Sequence, residues 1–240
     1  YVHLGAFAAL EQAGLRPSLV SGSSIGSILG LFRARETAFR EETVRAVTHG
    51  LSYSRMFKFL DAETRYAMPG ALRLQLRTWM SRFFSGAEGR MLTMKDLSLP
   101  FLEVATGVRR EAAERARRLE QLVEREIKQS TRGRLLHLKD LSTNLVRFLR
   151  ELVSTPGGLE PIVLGPYDET AEFDVLDAAG FSSALPGGIQ YDITRNDPRM
   201  QELMRATLER HDVSFLADGG IASNVPVRAT WEAVQRGQLG

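Results

Sequence analysis

Cysteine is absent from the 240 residues, which excludes a disulfide framework, thiolate metal ligands and a cysteine nucleophile. Lysine is nearly absent, with 4 against 27 arginines. The 31 basic residues face 29 acidic ones, for a net charge of +2, so the chain lacks the positive excess of a nucleic-acid binder. No apolar run approaches the ~18 residues that a bilayer-spanning helix needs. Histidine is scarce at four residues, and no His/acid spacing typical of a metal site is present. The chain opens at Tyr1 with no initiator Met and no secretory signal, so we read it as a fragment whose compartment is open. What remains, at 43% hydrophobic, is enough for one domain with a sizeable core.

The most informative stretch runs Val20-Ser21-Gly22-Ser23-Ser24-Ile25-Gly26-Ser27-Ile28. It reads as a strand over 17–21, a tight turn and an apolar helix from Ile25. Gly22-x-Ser24-x-Gly26 fits a nucleophile elbow, in which a serine stands on a sharp strand-to-helix corner. Projecting the serine beyond the sheet edge forces its backbone into a sparsely allowed conformation. Glycine two residues before and after it is expected to remove a collision across the turn. The helix N-terminus then aims the Ile25 backbone N–H at a developing oxyanion. The alternative is a small-residue turn that merely packs a helix on a sheet.

Elsewhere the pattern alternates between helix and strand. Residues 1–14 read as a buried helix closed by Gly14, and 37–49 as a charged helix. In residues 51–85, Met56, Phe57, Phe59, Leu60, Trp79, Met80, Phe83 and Phe84 are interleaved with Arg55, Lys58, Arg65, Arg73, Arg77 and Arg82. This basic, aromatic stretch reads as a helical insertion. It is either a lobe with its own aromatic core or a peripheral membrane contact. Strands are expected at 99–107 and 161–165, with a helical hairpin inserted between them over 110–153 as a cap or partner surface. A short helix over 174–184, a loop at 185–188, a helix over 198–211 and a strand over 213–217 follow. That strand ends at Asp218-Gly219-Gly220, and a last helix runs through Gln235. Functional groups of open α/β sheets collect at the carboxyl ends of strands, where Ser24 and Asp218 both fall.

A serine nucleophile needs a base. His3, His49, His137 and His211 all precede Asp218, against the usual hydrolase order of Ser, acid, His. His3 reads as structural, His49 and His137 as surface residues, and His211 as a helix-terminal cation. Asp218 is the better candidate for general base, with Gly219 and Gly220 letting the backbone approach the site.

With these residues named, a resemblance becomes visible. Gly22-Ser23-Ser24-Ile25-Gly26 together with Asp218-Gly219-Gly220 resembles the patatin-like phospholipases. His3 through Phe7 and Glu11 through Gly14, Val104-Ala105-Thr106, Ser182 through Gly187, and Asn224-Val225-Pro226-Val227 also resemble that family's motifs, in the same order. The resemblance implies a three-layer α/β/α domain with a mostly parallel sheet and inserted helices. It implies hydrolysis of fatty-acyl esters of phospholipids or related lipids by a Ser24–Asp218 dyad, with no cofactor and no metal. It also places a glycine-rich oxyanion loop just before Tyr1 and a further strand after the last helix, so truncation at both ends is expected. Rival readings are a non-catalytic lipid- or protein-binding module that keeps the fold, and a neutral-lipid lipase or acyltransferase.

Overall fold

The computed structural model describes residues 2–36, 42, 45, 56–59, 65–68, 70–114, 150, 153, 154 and 156–239. Its strands are β1 (Val20–Ser23), β2 (Phe57–Phe59), β3 (Gly70–Leu74), β4 (Phe101–Arg109), β5 (Leu159–Leu164), β6 (Gly187–Gln190) and β7 (Val213–Ala217). The helices are α1 (Val2–Gln12), α2 (Ile25–Arg35), α3 (Leu76–Phe84), α4 (Val175–Ser182), α5 (Pro198–Arg210), α6 (Gly219–Ser223) and α7 (Val227–Gln235). The chain is α/β, as its alternating pattern implies, with two mixed sheets among the described residues.

The larger sheet is assembled on β4. Eight of the nine β4 residues are buried, as expected of a strand covered on both faces. β1 runs parallel to its first half, pairing Val20 with Phe101 through Ser23 with Val104. β5 runs antiparallel along the other edge, from Glu103 to Val108. A strand has two edges, so β7, antiparallel and paired from Thr106 to Arg109, must share an edge with β1. The carboxyl ends of β1 and β7 therefore point at each other across the register of Ala105. This head-on meeting positions the site.

The core lies between this sheet and the helices. Ile28, Leu31 and Phe32 of α2 sit at helical spacing and are buried with Phe101 and Ala105 of β4. α4 is buried along its whole length. Gly30 lets α2 approach the sheet, since a β-carbon there would stand 2.7 Å from the Phe101 ring. Arg33, buried on α2, donates to the Glu36 carbonyl (2.7 Å) and to Glu11 (3.2 Å), tying α2 to α1.

Several expectations are corrected. Residues 51–85 are not a wholly helical insertion: β2 and β3 pair antiparallel and β3 pairs parallel with β6, while α3 is helical. Tertiary pairing overrides the local pattern here. Trp79, Met80 and Phe84 are buried in the main core, and Phe83 and Phe84 meet Phe32 edge-to-face at 5.6 and 5.2 Å. Three described arginines of the stretch have partners within the protein. Arg77 reaches Asp174 and Asp177, Arg73 reaches Thr194, and Arg82 lies over the Phe83 ring. α1 is not a buried helix, because Leu4 is its one buried residue; Gly5, Ala6 and Ala9 give it little apolar reach. The loop expected at 185–188 carries the start of β6. The helix expected over 37–49 and the hairpin over 110–153 lie mostly outside the described residues.

Candidate active site

Ser24 occupies the corner between β1 and α2 with φ 54° and ψ −131°. Positive φ is uncommon for a residue with a side chain and costs about 1–3 kcal/mol. The reason for Gly22 is on the page: a β-carbon there would stand 2.8 Å from the Gly26 carbonyl oxygen. The matching collision expected at Gly26 does not occur. Its β-carbon would meet nothing within 4 Å, because α2 turns the Gly26 carbonyl, not its Cα hydrogens, toward Gly22. Ile25 is 54% exposed and opens α2, so its N–H is among those with no acceptor inside the helix.

Asp218 follows β7 and is 7% exposed. The Ser24 hydroxyl donates to Asp218 Oδ2 at 2.5 Å, and the Gly220 N–H donates to Oδ1 at 2.7 Å. The Asp218 backbone is held as firmly: its N–H donates to the Ala184 carbonyl (2.8 Å), and its carbonyl accepts from the Thr106 hydroxyl (2.7 Å). Burial pushes the Asp218 carboxyl above the usual aspartate range, and the bonds from Ser24 and Gly220 pull it partly back. A carboxylate so placed can take the serine proton directly. Gly219 allows the close approach, since a β-carbon there would overlap the Val104 carbonyl oxygen. At Gly220 a β-carbon would crowd Asp218 Oδ1 at 2.9 Å.

Pattern reasoning did not single out Ser182 and Ser183 for the site, although they lie in one of the motifs quoted above. Ser182 Oγ accepts from the Ser24 N–H (3.1 Å), and Ser183 Oγ donates to the Ser24 carbonyl (2.9 Å). The signal available in the sequence was a pair of small hydroxyl residues at the end of a helix whose one charged residue is Asp177.

The family description "Patatin-like phospholipase" matches residues 1–231. The chain belongs to the patatin-like phospholipase family. Families of this type are lipid acyl hydrolases that act on lipid substrates. Searches of curated proteins and of solved structures gave no match.

Within this patatin-like domain neither described histidine hydrogen-bonds to Ser24 or Asp218. His3 is exposed on α1, against the expectation of a buried structural residue, and His211 Nδ1 pairs with Glu160 at 2.8 Å. His49 and His137 lie outside the described residues. Among the described residues no group of three or more His, Asp or Glu could hold a metal ion, and no helix is long and apolar enough to cross a membrane.

Two further features of the patatin-like domain escape pattern reading. Both carboxyl oxygens of Glu103 are buried with no hydrogen-bond partner among the described residues, and burial pushes that carboxyl well above the usual range. At the start of α4, buried Asp177 receives both Arg195 amino groups (3.0 and 2.5 Å), Arg77 (3.3 Å) and the Tyr191 hydroxyl (2.5 Å). Asp174 takes Arg77, Arg195 and Arg199. Carboxylates at a helix N-terminus also suit its dipole.

Proposed function

We propose that this domain hydrolyses fatty-acyl esters of phospholipids or related lipids through a Ser24–Asp218 dyad and an acyl-enzyme. The observation that carries the reading is the 2.5 Å hydrogen bond from Ser24 Oγ to a buried carboxylate. Family membership supplies the substrate class.

In the first step Asp218 takes the proton of Ser24 Oγ as that oxygen bonds to the ester carbonyl carbon. The carbonyl oxygen becomes an oxyanion facing the Ile25 N–H at the start of α2. The intermediate collapses, the C–O bond to the leaving alcohol breaks, and protonated Asp218 gives its proton to the departing oxygen. Water then attacks the acyl-serine and yields its proton to Asp218, and the carboxylic acid departs as Ser24 recovers a proton from Asp218. An alcohol replacing water in the second half would give acyl transfer instead.

The test combines fluorophosphonate labelling with ester hydrolysis on phospholipid, lysophospholipid and neutral ester. Label is expected at Ser24, with loss of labelling in Ser24→Ala and in Asp218→Asn. A folded protein that carries its natural residues before Tyr1 and still neither labels nor hydrolyses any of these esters overturns the hydrolase reading in favour of a binding module.

A further inference from the structure

The hydroxyl of Ser182 has one proton and two lone pairs, and all three are used. It donates to the Val104 carbonyl at 2.6 Å, since a carbonyl can only accept. It accepts from the Ser24 N–H at 3.1 Å. The remaining 2.8 Å contact, with the Ser27 hydroxyl, must then have Ser27 as donor. Ser183 completes the arrangement by donating to the Ser24 carbonyl, which also accepts from the Ser27 N–H at 2.9 Å. Both peptide groups of the strained residue are thereby fixed from the end of one helix.

We propose that Ser182 and Ser183 are positioning residues that clamp the Ser24 backbone in its positive-φ conformation, so that only rotation about χ1 separates Oγ from Asp218. The proposal rests on the dyad reading for its catalytic consequence, but not for its geometry. Three links converge on Val104: Ser182 donates to its carbonyl, Gly219 packs against the same oxygen, and Ser23 pairs with it across the sheet. The clamp therefore ties the nucleophile and the base to one point of β4. The other end of α4 is held by Asp177 in its bonds to Arg195 and Tyr191, so the helix cannot slide without breaking a buried charge cluster. A second consequence concerns the oxyanion. The Ser24 N–H is taken by Ser182, so the oxyanion donors at this corner come from the first turn of α2, which Ile25 opens.

The experiment pairs a readout independent of catalysis with one that depends on it. Amide hydrogen exchange is followed by NMR, and the fluorophosphonate inactivation rate is measured against pH, for wild type, Ser182→Ala, Ser183→Ala and Ser182→Thr. Ser182→Ala is expected to speed exchange at the Ser24 amide at least about tenfold, while β4 amides stay protected. It is expected to slow labelling about 10–100-fold per folded molecule, the scale of a misplaced reacting group. Because the bond from Ser24 holds Asp218 down, its loosening moves the acid limb of labelling to higher pH. A merely structural role lowers the folded fraction and leaves that limb in place. Ser183→Ala slows labelling with the Ser24 amide still protected, and Ser182→Thr, which keeps the hydroxyl, restores Ser24 protection. Wild-type exchange at Ser24 in Ser182→Ala overturns the clamp, as does labelling at the wild-type rate with an unchanged pH profile. Ser182-dependent exchange in a wild-type protein that does not label sinks the hydrolase reading and leaves the clamp standing.

Discussion

A β-carbon on Gly219 would overlap the carbonyl oxygen of Val104. The chain that carries Asp218 thus lies directly against β4, where no side chain fits. Gly219→Ala must push backbone from backbone. We expect it to cost about 1–3 kcal/mol, the usual price of overpacking, and to abolish labelling of Ser24. Gly26→Ala is the contrast, since that site is open and alanine is the better helix former by up to ~1 kcal/mol. Urea midpoints of the two variants should move in opposite directions.

In the proposed mechanism Asp218 acts as its carboxylate, and burial raises the pH at which the carboxylate forms. Activity is therefore present at high pH and lost as pH falls through a value above the ordinary aspartate range. The acid limb of Ser24 labelling in the wild type should sit there. Carbon NMR of the Asp218 carboxyl in Ser24→Ala should show titration at a still higher pH, because the hydroxyl that favoured the charged form is gone. Titration at the ordinary value would contradict the buried geometry.

Glu103 keeps its proton in the folded protein well above the pH at which an exposed glutamate loses it. The folded state then binds more protons than the unfolded state above the ordinary glutamate range. Stability from this group is full at low pH and falls as pH rises, by at most about 1.4 kcal/mol per pH unit. Glu103→Met fills similar space without the carboxyl. It should raise the melting temperature by a margin that widens between mildly acidic and neutral pH. A margin independent of pH would show that Glu103 ionises normally.

Arg195 joins Asp177, Asp174 and Asp197. Removing it leaves Asp177, which has no exposed surface, with Arg77 as its one remaining cation among the described residues. Arg195→Met should cost about 3 kcal/mol, the scale of breaking a buried ion pair. Arg195→Lys should recover little of this, because an ammonium cannot span both Asp177 oxygens. Denaturant unfolding of the two variants checks both statements.

The elbow was legible because its causes are local. The turn, the collision at Gly22 and the N-terminus of α2 all lie within the nine residues from Val20 to Ile28, and short-range sterics act over that span. The apolar spacing of α2, the start of α5 at Pro198 and the run of β7 are equally local. Features made by pairing were not legible. Gly187–Gln190 has no alternation that marks a strand, and β6 exists because Gly70 and Leu72 of β3 pair with it. The aromatics of 51–85 could line a core or meet a membrane by pattern alone; contact with Phe32 placed Phe83 and Phe84.

By itself, then, the sequence determined that a serine stands on a strained corner and that an acid follows a strand 194 residues later. Only the tertiary structure decided that they touch. β1 and β7 share one edge of β4 and end two registers apart, at Val104 and Thr106, so their carboxyl ends face each other. The same packing brought Ser182 under the Ser24 amide. Backbone sterics are fixed by neighbours in the chain, whereas which strand ends meet depends on register along a third strand that neither sequence segment encodes.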